Sequence, residues 1–264
     1  GRYRLEDVDL FDVLISEATA GQQTVRLGSA AASVAYDSRD DIINPTRGGL
    51  RSFDARIYQS GLGSEATFTR FFGSASFFKS LGPHVVWASS IRAGVITSNN
   101  IPVSERFFAG GDTTLRGFDF NKAGPAEQVK PLDDDNDPNT PLPPLDPGEV
   151  NESFFEATGG EGLFLINQEL RFPIFKALKG AVFYDMGNVF ADISDYNVTE
   201  LRHVAGIGLR FDTPVGPFRI EYGRKLDHET IFVLDDPSDP GSPGRFIRKP
   251  EERGKFFFSI GHAF

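Results

Sequence analysis

The sequence contains no cysteine, a single methionine and a single tryptophan in 264 residues. Without cysteine, neither a disulfide scaffold nor thiol catalysis is possible. No apolar run approaches the roughly 18 residues that a membrane-spanning helix needs, which excludes a helical membrane protein. Basic charge is also scarce, because 37 acidic and 27 basic side chains give a net charge of −10. That balance argues against a surface that binds nucleic acid.

Features of a leader or an active site are missing as well. Residues 1–5 show no basic start followed by an apolar core, so we expect no signal peptide and interpret the chain as the interior of a longer precursor. The four histidines show no metal-ligand spacing, and no phosphate loop or G-x-S-x-G elbow occurs. Asp133, Asp135 and Asp137 have the opening spacing of a calcium loop, but Pro138 stands at the glycine position and no glutamate closes the loop. We therefore expect no catalytic residues, no cofactor and no metal site. The Asp/Pro-rich piece 131–148 has too few apolar residues to bury anything, and we predict a solvated loop tip there.

Glycine and phenylalanine are abundant, with 28 and 26 residues. Apolar and polar side chains alternate along most of the chain, which predicts β-strands and no convincing helix. About ten strands are expected, at 1–13, 23–37, 50–60, 65–79, 84–96, 163–172, 179–190, 201–212, around 218–223, and 255–264.

The two faces of these strands indicate the fold class. In the strand 201–212, for example, Ile207 and Leu209 oppose Gly208 and Arg210. A charged, glycine-rich face opposite an apolar, phenylalanine-rich face is typical of a barrel that is polar inside and meets lipid outside. We therefore predict an all-β, antiparallel transmembrane β-barrel with a long connection, roughly 98–161, between its strands.

Five motifs then resemble one family. The segments FFAGGD at 107–112 and LRGF at 115–118 resemble the loop motif of the BamA/TamA family of outer-membrane insertases. Four further matches follow the family's order and spacing: YDSRD at 36–40 with PTRG at 45–48, YDMGNVF at 184–190, AGIGLR at 205–210 and TPVGP at 213–217. The resemblance covers essentially the whole chain and fits both branches of the family.

The resemblance implies a barrel of about sixteen strands preceded by soluble periplasmic repeats. Residues 1–264 would then be an outer-membrane β-barrel domain that lacks the N-terminal strands and those repeats. Two alternatives stay open: a short homologue that closes alone, and a chain that completes its barrel with another chain.

The loop motif comprises Leu115, Arg116, Gly117 and Phe118. If the loop folds into the barrel, the Arg116 guanidinium needs carboxylate partners to offset its desolvation. Glu169 and Asp185 fall on the inner face of the next two strands, and the family resemblance implies the same pairing. Gly117 would allow a tight bend and Phe118 would pack on the inner wall. The alternative is that Arg116 is a solvated loop arginine.

The last strand carries apolar side chains at alternate positions, namely Phe256, Phe258, Ile260 and Phe264. It resembles the signal by which outer-membrane proteins are recognised for assembly, and strand addition is a physical route for such recognition. The alternative is simply a final strand that faces lipid.

The function implied by the resemblance is the insertion of β-barrel proteins into the bacterial outer membrane through a lateral seam. It is not an enzymatic activity. The implied partners are outer-membrane lipids, unfolded outer-membrane protein clients, and assembly-complex lipoproteins or an inner-membrane partner, but no nucleic acid. Alternatives are a two-partner secretion or passive transport pore in a Gram-negative outer membrane, and the membrane anchor of a fused passenger enzyme.

Overall fold

A computed structural model of the chain describes residues 2–9, 24–98, 101–128, 155–175, 177–211, 213, 217–227, 230–234, 246–250 and 252–261. Within these ranges the chain is a β-protein, and its helical segments are short 3₁₀ turns. Over the same described ranges, no helix has the length and apolar character required to cross a membrane. The solvated tip predicted at 131–148 lies outside the described residues.

Ten strands form one antiparallel sheet in the order β1-β2-β3-β4-β5-β8-β9-β10-β11-β14. All ten strands expected from the alternation are confirmed. Their bounds are β1 Arg2–Asp9, β2 Thr24–Asp37, β3 Gly48–Tyr58, β4 Phe68–Ser80, β5 Val86–Ile96, β8 Gly162–Phe175, β9 Leu178–Phe190, β10 Arg202–Phe211, β11 Phe218–Lys225 and β14 Gly254–Ile260.

Two further strand pairs lie in connections for which no strand was expected from the sequence, and that expectation is corrected. In the long connection, β6 (Ala126–Gln128) pairs with β7 (Phe155–Ala157). In the connection before the last strand, β12 (Thr230–Leu234) pairs with β13 (Phe246–Pro250). Because these strands are short and flanked by Asp- and Pro-rich sequence, their alternation was too brief to stand out.

The two faces of the sheet differ as the alternation predicts. Between β10 and β11, Gly208 lies opposite Glu221 and Arg210 opposite Arg219, and all four are buried on the inner face. The neighbouring outer positions carry exposed large apolar side chains across the sheet, including Val34, Phe53, Trp87, Ile207 and Phe258. An exposed apolar band on one face of a sheet suits contact with acyl chains.

The sheet is not closed, since β1 and β14 form its two edges. Buried apolar residues of the inner face, among them Leu27, Phe68 and Phe183, form one cluster with residues of the long connection. Phe107, Leu115 and Phe118 are the loop members of that cluster. The long connection therefore folds against the inner face, where it supplies part of the core.

The turn between β2 and β3 gives a physical reason for the YDSRD and PTRG motif at 36–48. The Asp40 carboxylate accepts hydrogen bonds from the Thr46 N–H at 2.8 Å, the Thr46 hydroxyl at 2.5 Å and the Arg47 N–H at 3.0 Å. Desolvation works against the charged form, but these hydrogen bonds prevail and lower the pKa of Asp40 to about 2. Gly48 closes the turn with φ +87°, where a side chain would strike the Ser38 carbonyl.

Candidate functional site

The loop motif sits on a folded base. Phe107 and Gly160 exchange two backbone hydrogen bonds of 2.9 Å, which join the two ends of the long connection. The Thr114 hydroxyl bonds to both the N–H and the carbonyl of Gly110 at 2.8 Å, and the Gly111 N–H donates to the Phe118 carbonyl at 3.0 Å. These contacts hold residues 110–118 in one compact turn.

Arg116 projects from this turn and is fully buried. Its Nε and Nη2 donate to the two oxygens of Asp185, both at 2.8 Å, in the bidentate geometry that suits a guanidinium. Its Nη1 donates to Glu169 at 2.7 Å and to Glu221 at 3.3 Å. The guanidinium carbon also lies 3.6 Å from the centre of the Phe183 ring. Three carboxylates and one ring therefore surround a single cation.

The same carboxylates bind further arginines of the inner face. Glu169 accepts from Arg171 at 2.7 Å and from Arg210 at 2.6 Å. Glu221 accepts from Arg210 at 3.1 Å and from Arg219 at 2.7 Å. Asp112 of the loop forms an ion pair with Arg219 at 2.9 Å. We call these eight residues the charge cluster: Arg116, Arg171, Arg210, Arg219, Asp112, Glu169, Asp185 and Glu221.

The charge cluster contains four guanidinium groups and four carboxylates, so its formal charges cancel. This balance matters because an unpaired charge in a buried site costs several kcal/mol. Arg116 is the member that joins the loop to β8, β9 and β11 at once. The arrangement is suited to holding a loop in place.

Two hydrogen bonds to loop carbonyls extend the docking to β5 and β8. The Arg92 side chain donates to the Thr113 carbonyl at 2.5 Å, and the Asn167 amide donates to the Thr114 carbonyl at 2.6 Å. Asn167 also donates to Asp185 at 2.9 Å. The strands therefore hold the loop through its backbone carbonyls as well as through its side chains.

Gly117 and Phe118 complete the motif. Gly117 has φ +135°, a conformation that favours glycine, and an added Cβ would lie 3.0 Å from Val204. Opposite the loop, a Cβ at Gly223 would lie 1.9 Å from the Arg116 carbonyl oxygen. Phe118 is buried, with Lys225 Nζ 4.2 Å from its ring centre. Glycines on both sides thus allow the loop backbone to approach the wall closely.

The structure brings together Leu115, Arg116, Gly117, Phe118, Glu169 and Asp185, the residues singled out from the sequence for the loop and its partners. The functional role of that contact stays a prediction. Phe256, Phe258 and Ile260 share the exposed outer face of β14, away from the charge cluster. Phe264 lies outside the described residues.

Several members of the site were not predicted from the sequence. Glu221 and Arg219 could have been found, because they share the inner face of β11 with Gly223. Asp112 belongs to the FFAGGD motif and Phe183 shares the face of Asp185, but no local pattern assigned either of them to the contacts of the site. Arg171, Arg210, Asn167 and Arg92 were placed on inner faces by the alternation but were not assigned to Arg116.

An outer apolar face, a charged inner face and a docked internal loop define a β-barrel of the outer membrane. The comparison with protein families agrees, since the Omp85 superfamily domain matches residues 8–264, and the chain belongs to this superfamily. The fold, the outer-membrane location and the membership predicted from the motifs are thereby confirmed.

Two curated relatives and one solved structure illustrate the family. The chain is 24% identical over 274 residues to the outer membrane protein assembly factor BamA of Nitratidesulfovibrio vulgaris strain Hildenborough, covering 99% of this chain and 29% of that protein. It is 34% identical over 105 residues to the SAM50-like protein CG7639 of Drosophila melanogaster, covering 38% of this chain and 23% of that protein. The crystal structure of BamA from Haemophilus ducreyi lacking POTRA domains 1-3 shares the fold, with a TM-score of 0.62 and 17% identity over 89% of this chain and 43% of that chain.

Proposed function

We propose that this chain is the C-terminal part of the barrel of an outer-membrane protein assembly factor, which inserts β-barrel proteins through a lateral seam. The relatives support the general class, because a matching relative is an assembly factor by name. The finer proposal draws on β14, the edge of the open sheet at the C-terminal end of the chain, since the further strands proposed below would pair with the β1 edge. An edge strand presents unpaired N–H and C=O groups, to which an extended client strand can add.

The observation that carries this proposal is the buried Arg116 with its three carboxylates. A loop fixed at this depth stiffens β8, β9 and β11, the strands that lead to the β14 edge. The protein then acts by lowering the free-energy barrier to insertion of a client strand next to these stiffened strands, and no covalent catalysis is involved.

The proposed assembly is larger than this chain. The chain spans 29% of the matched BamA relative and 43% of the solved BamA structure. We propose that its ten-stranded sheet belongs to a barrel of about sixteen strands, with further strands and periplasmic repeats supplied outside residues 1–264. The proposed partners are outer-membrane lipids, unfolded outer-membrane protein clients, and assembly-complex lipoproteins or an inner-membrane partner.

A reconstitution experiment tests the proposal. The full-length protein is placed in liposomes, and the folding rate of an unfolded β-barrel client is followed by its heat-modifiable gel shift. We expect the wild type and Arg47→Ala, which alters an exposed turn arginine, to accelerate folding equally. Arg116→Ala should lose most of the acceleration. Empty liposomes and wild-type liposomes that give the same client folding rate would refute an assembly function.

The pore alternative is distinguished in the same preparation. Leu115, Arg116 and Phe118 are all buried against the inner face, so the loop occupies space that an open channel would need. We therefore expect only small or transient conductance in a planar bilayer. A large steady conductance without client insertion would favour a passive or secretion pore. The upstream sequence of the full-length protein would decide the passenger-anchor alternative.

A further inference from the structure

Two acidic residues flank Arg116 in the loop, and each pairs with a cation on one of the last two strands of the sheet. Asp112 lies 2.9 Å from Arg219 of β11. Asp119 lies 3.0 Å from Nζ of Lys255 in β14. The charges are reversed relative to the Arg116 contacts, since here the loop provides the carboxylate and the strand provides the cation. Asp119 therefore carries the loop contacts onto the edge strand.

The position of Asp119 is set by the loop backbone. The Lys122 N–H donates to the Asp119 carbonyl at 3.0 Å, and a Cβ at Gly110 would lie 2.2 Å from that same oxygen. Gly110 has φ +115° and belongs to the compact turn that holds Arg116. Because the Asp119 main chain packs this closely on the turn, its carboxylate moves together with the docked loop.

The position of Lys255 follows from the strand register. Lys255 lies opposite Gly223 of β11, and a Cβ added at Gly223 would lie 1.9 Å from the Arg116 carbonyl oxygen. The loop backbone therefore lies on the inner face at Gly223 of β11, and Lys255 of β14 lies beside that same glycine in the sheet. Within the described part of the chain, β14 has β11 as its single ladder partner. A contact from the loop to Lys255 is consequently a second restraint on an edge strand.

We propose that Asp119 and Lys255 form a tether through which the docked loop restrains the terminal edge strand β14. Both are positioning residues, because they act through the edge strand rather than on a client. The pair is partly solvated, with 25% of the Lys255 side chain and 37% of the Asp119 side chain exposed. An ion pair of this kind contributes modestly, so its loss should change the opening of the strand by about two- to five-fold.

Lys255 also contacts Glu252 at 2.6 Å, a local pair within the same segment. This offers a matched control, because Asp119→Asn removes the tether and Glu252→Gln removes only the local pair. Hydrogen exchange of the β14 amides at 254–260 is measured in the full-length protein in liposomes, with β5 amides as the internal reference. We expect about two- to five-fold faster β14 exchange in Asp119→Asn and wild-type exchange in Glu252→Gln. Unchanged exchange in Asp119→Asn, or an equal rise in both variants, would overturn the tether.

The consequence for assembly rests on the proposed function and has its own test. These 264 residues contain no cysteine, so Asp119→Cys with Lys255→Cys introduces the only thiols in this part of the protein. A short bis-methanethiosulfonate reagent then links loop and strand, because it forms a reducible disulfide with each thiol and releases methanesulfinate. We expect the link to slow client insertion and reduction to restore it. Insertion at the unlinked rate would refute control of the seam by the tether, whereas absence of insertion by the wild type would refute the proposed function and leave the exchange result standing.

Discussion

Replacing Arg116 by alanine should destabilise the barrel more than removal of any other loop side chain. The change deletes four side-chain hydrogen bonds and leaves the charge cluster with one excess negative charge. Removing one partner from a buried ion pair typically costs about 3–5 kcal/mol. At an m-value of about 3 kcal/mol/M, this loss lowers the urea midpoint of unfolding by about 1 to 1.7 M.

Loss of the Arg116 guanidinium should not affect its three carboxylate partners equally. Glu169 keeps Arg171 and Arg210, and Glu221 keeps Arg210 and Arg219. Among the described residues, Asp185 keeps two neutral hydrogen-bond donors, the Asn167 amide and the backbone N–H of residue 116. The excess charge therefore resides on Asp185, whose neutralisation should relieve it.

This asymmetry provides a second-site test. In the Arg116→Ala background, Asp185→Asn should recover about 1–3 kcal/mol, the cost typical of an unsatisfied buried polar group. Glu169→Gln in the same background should destabilise further, because Arg171 then loses the Glu169 carboxylate and Arg210 loses its shorter carboxylate contact while its contact with Glu221 stays. Non-additivity of this size is expected among residues in one network.

The assay is urea unfolding of the full-length protein in lipid vesicles, followed by the heat-modifiable gel shift and by circular dichroism. Each double variant is compared with both of its single variants. An unchanged midpoint for Arg116→Ala would refute the view that the buried guanidinium holds the loop. Equal rescue by Asp185→Asn and Glu169→Gln would refute the assignment of the excess charge to Asp185.

Two further predictions follow from the backbone of the site and from the β2–β3 turn. Gly223→Ala should displace the loop and lower the urea midpoint, because its Cβ would lie 1.9 Å from the Arg116 carbonyl oxygen. Gly82→Ala is the control and should leave the midpoint unchanged, since nothing lies within 4 Å of its Cβ. Equal midpoints for the two variants would contradict the close approach of loop and wall. The folded pKa of Asp40, about 2, is below the ordinary value of about 3.9, so its stabilisation of the turn is present above about pH 4 and lost as pH falls toward 2. The Thr46 amide chemical shift should titrate with that low midpoint, and a midpoint near 4 would contradict it.

Much of the fold was predictable because alternation is a local property of the chain. A strand places successive side chains on opposite faces, so Ile207 and Arg210 reveal their environments without knowledge of any neighbour. The strand pairs β6–β7 and β12–β13 escaped prediction for the same reason, since three or five residues are too few to establish a period.

The candidate site was predictable only to the extent that a face and a charge define it. The sequence alone determined that Arg116 sits in a loop between strands, and that Glu169 and Asp185 point to the side where a cation would need them. Only the tertiary structure decided that Glu221, Arg210 and Arg219 join them and that Asp112 and Asp119 reach the last two strands. The physical reason is that these contacts depend on the register of strands far apart in the chain and on where the loop backbone, admitted by Gly117 and Gly223, comes to rest.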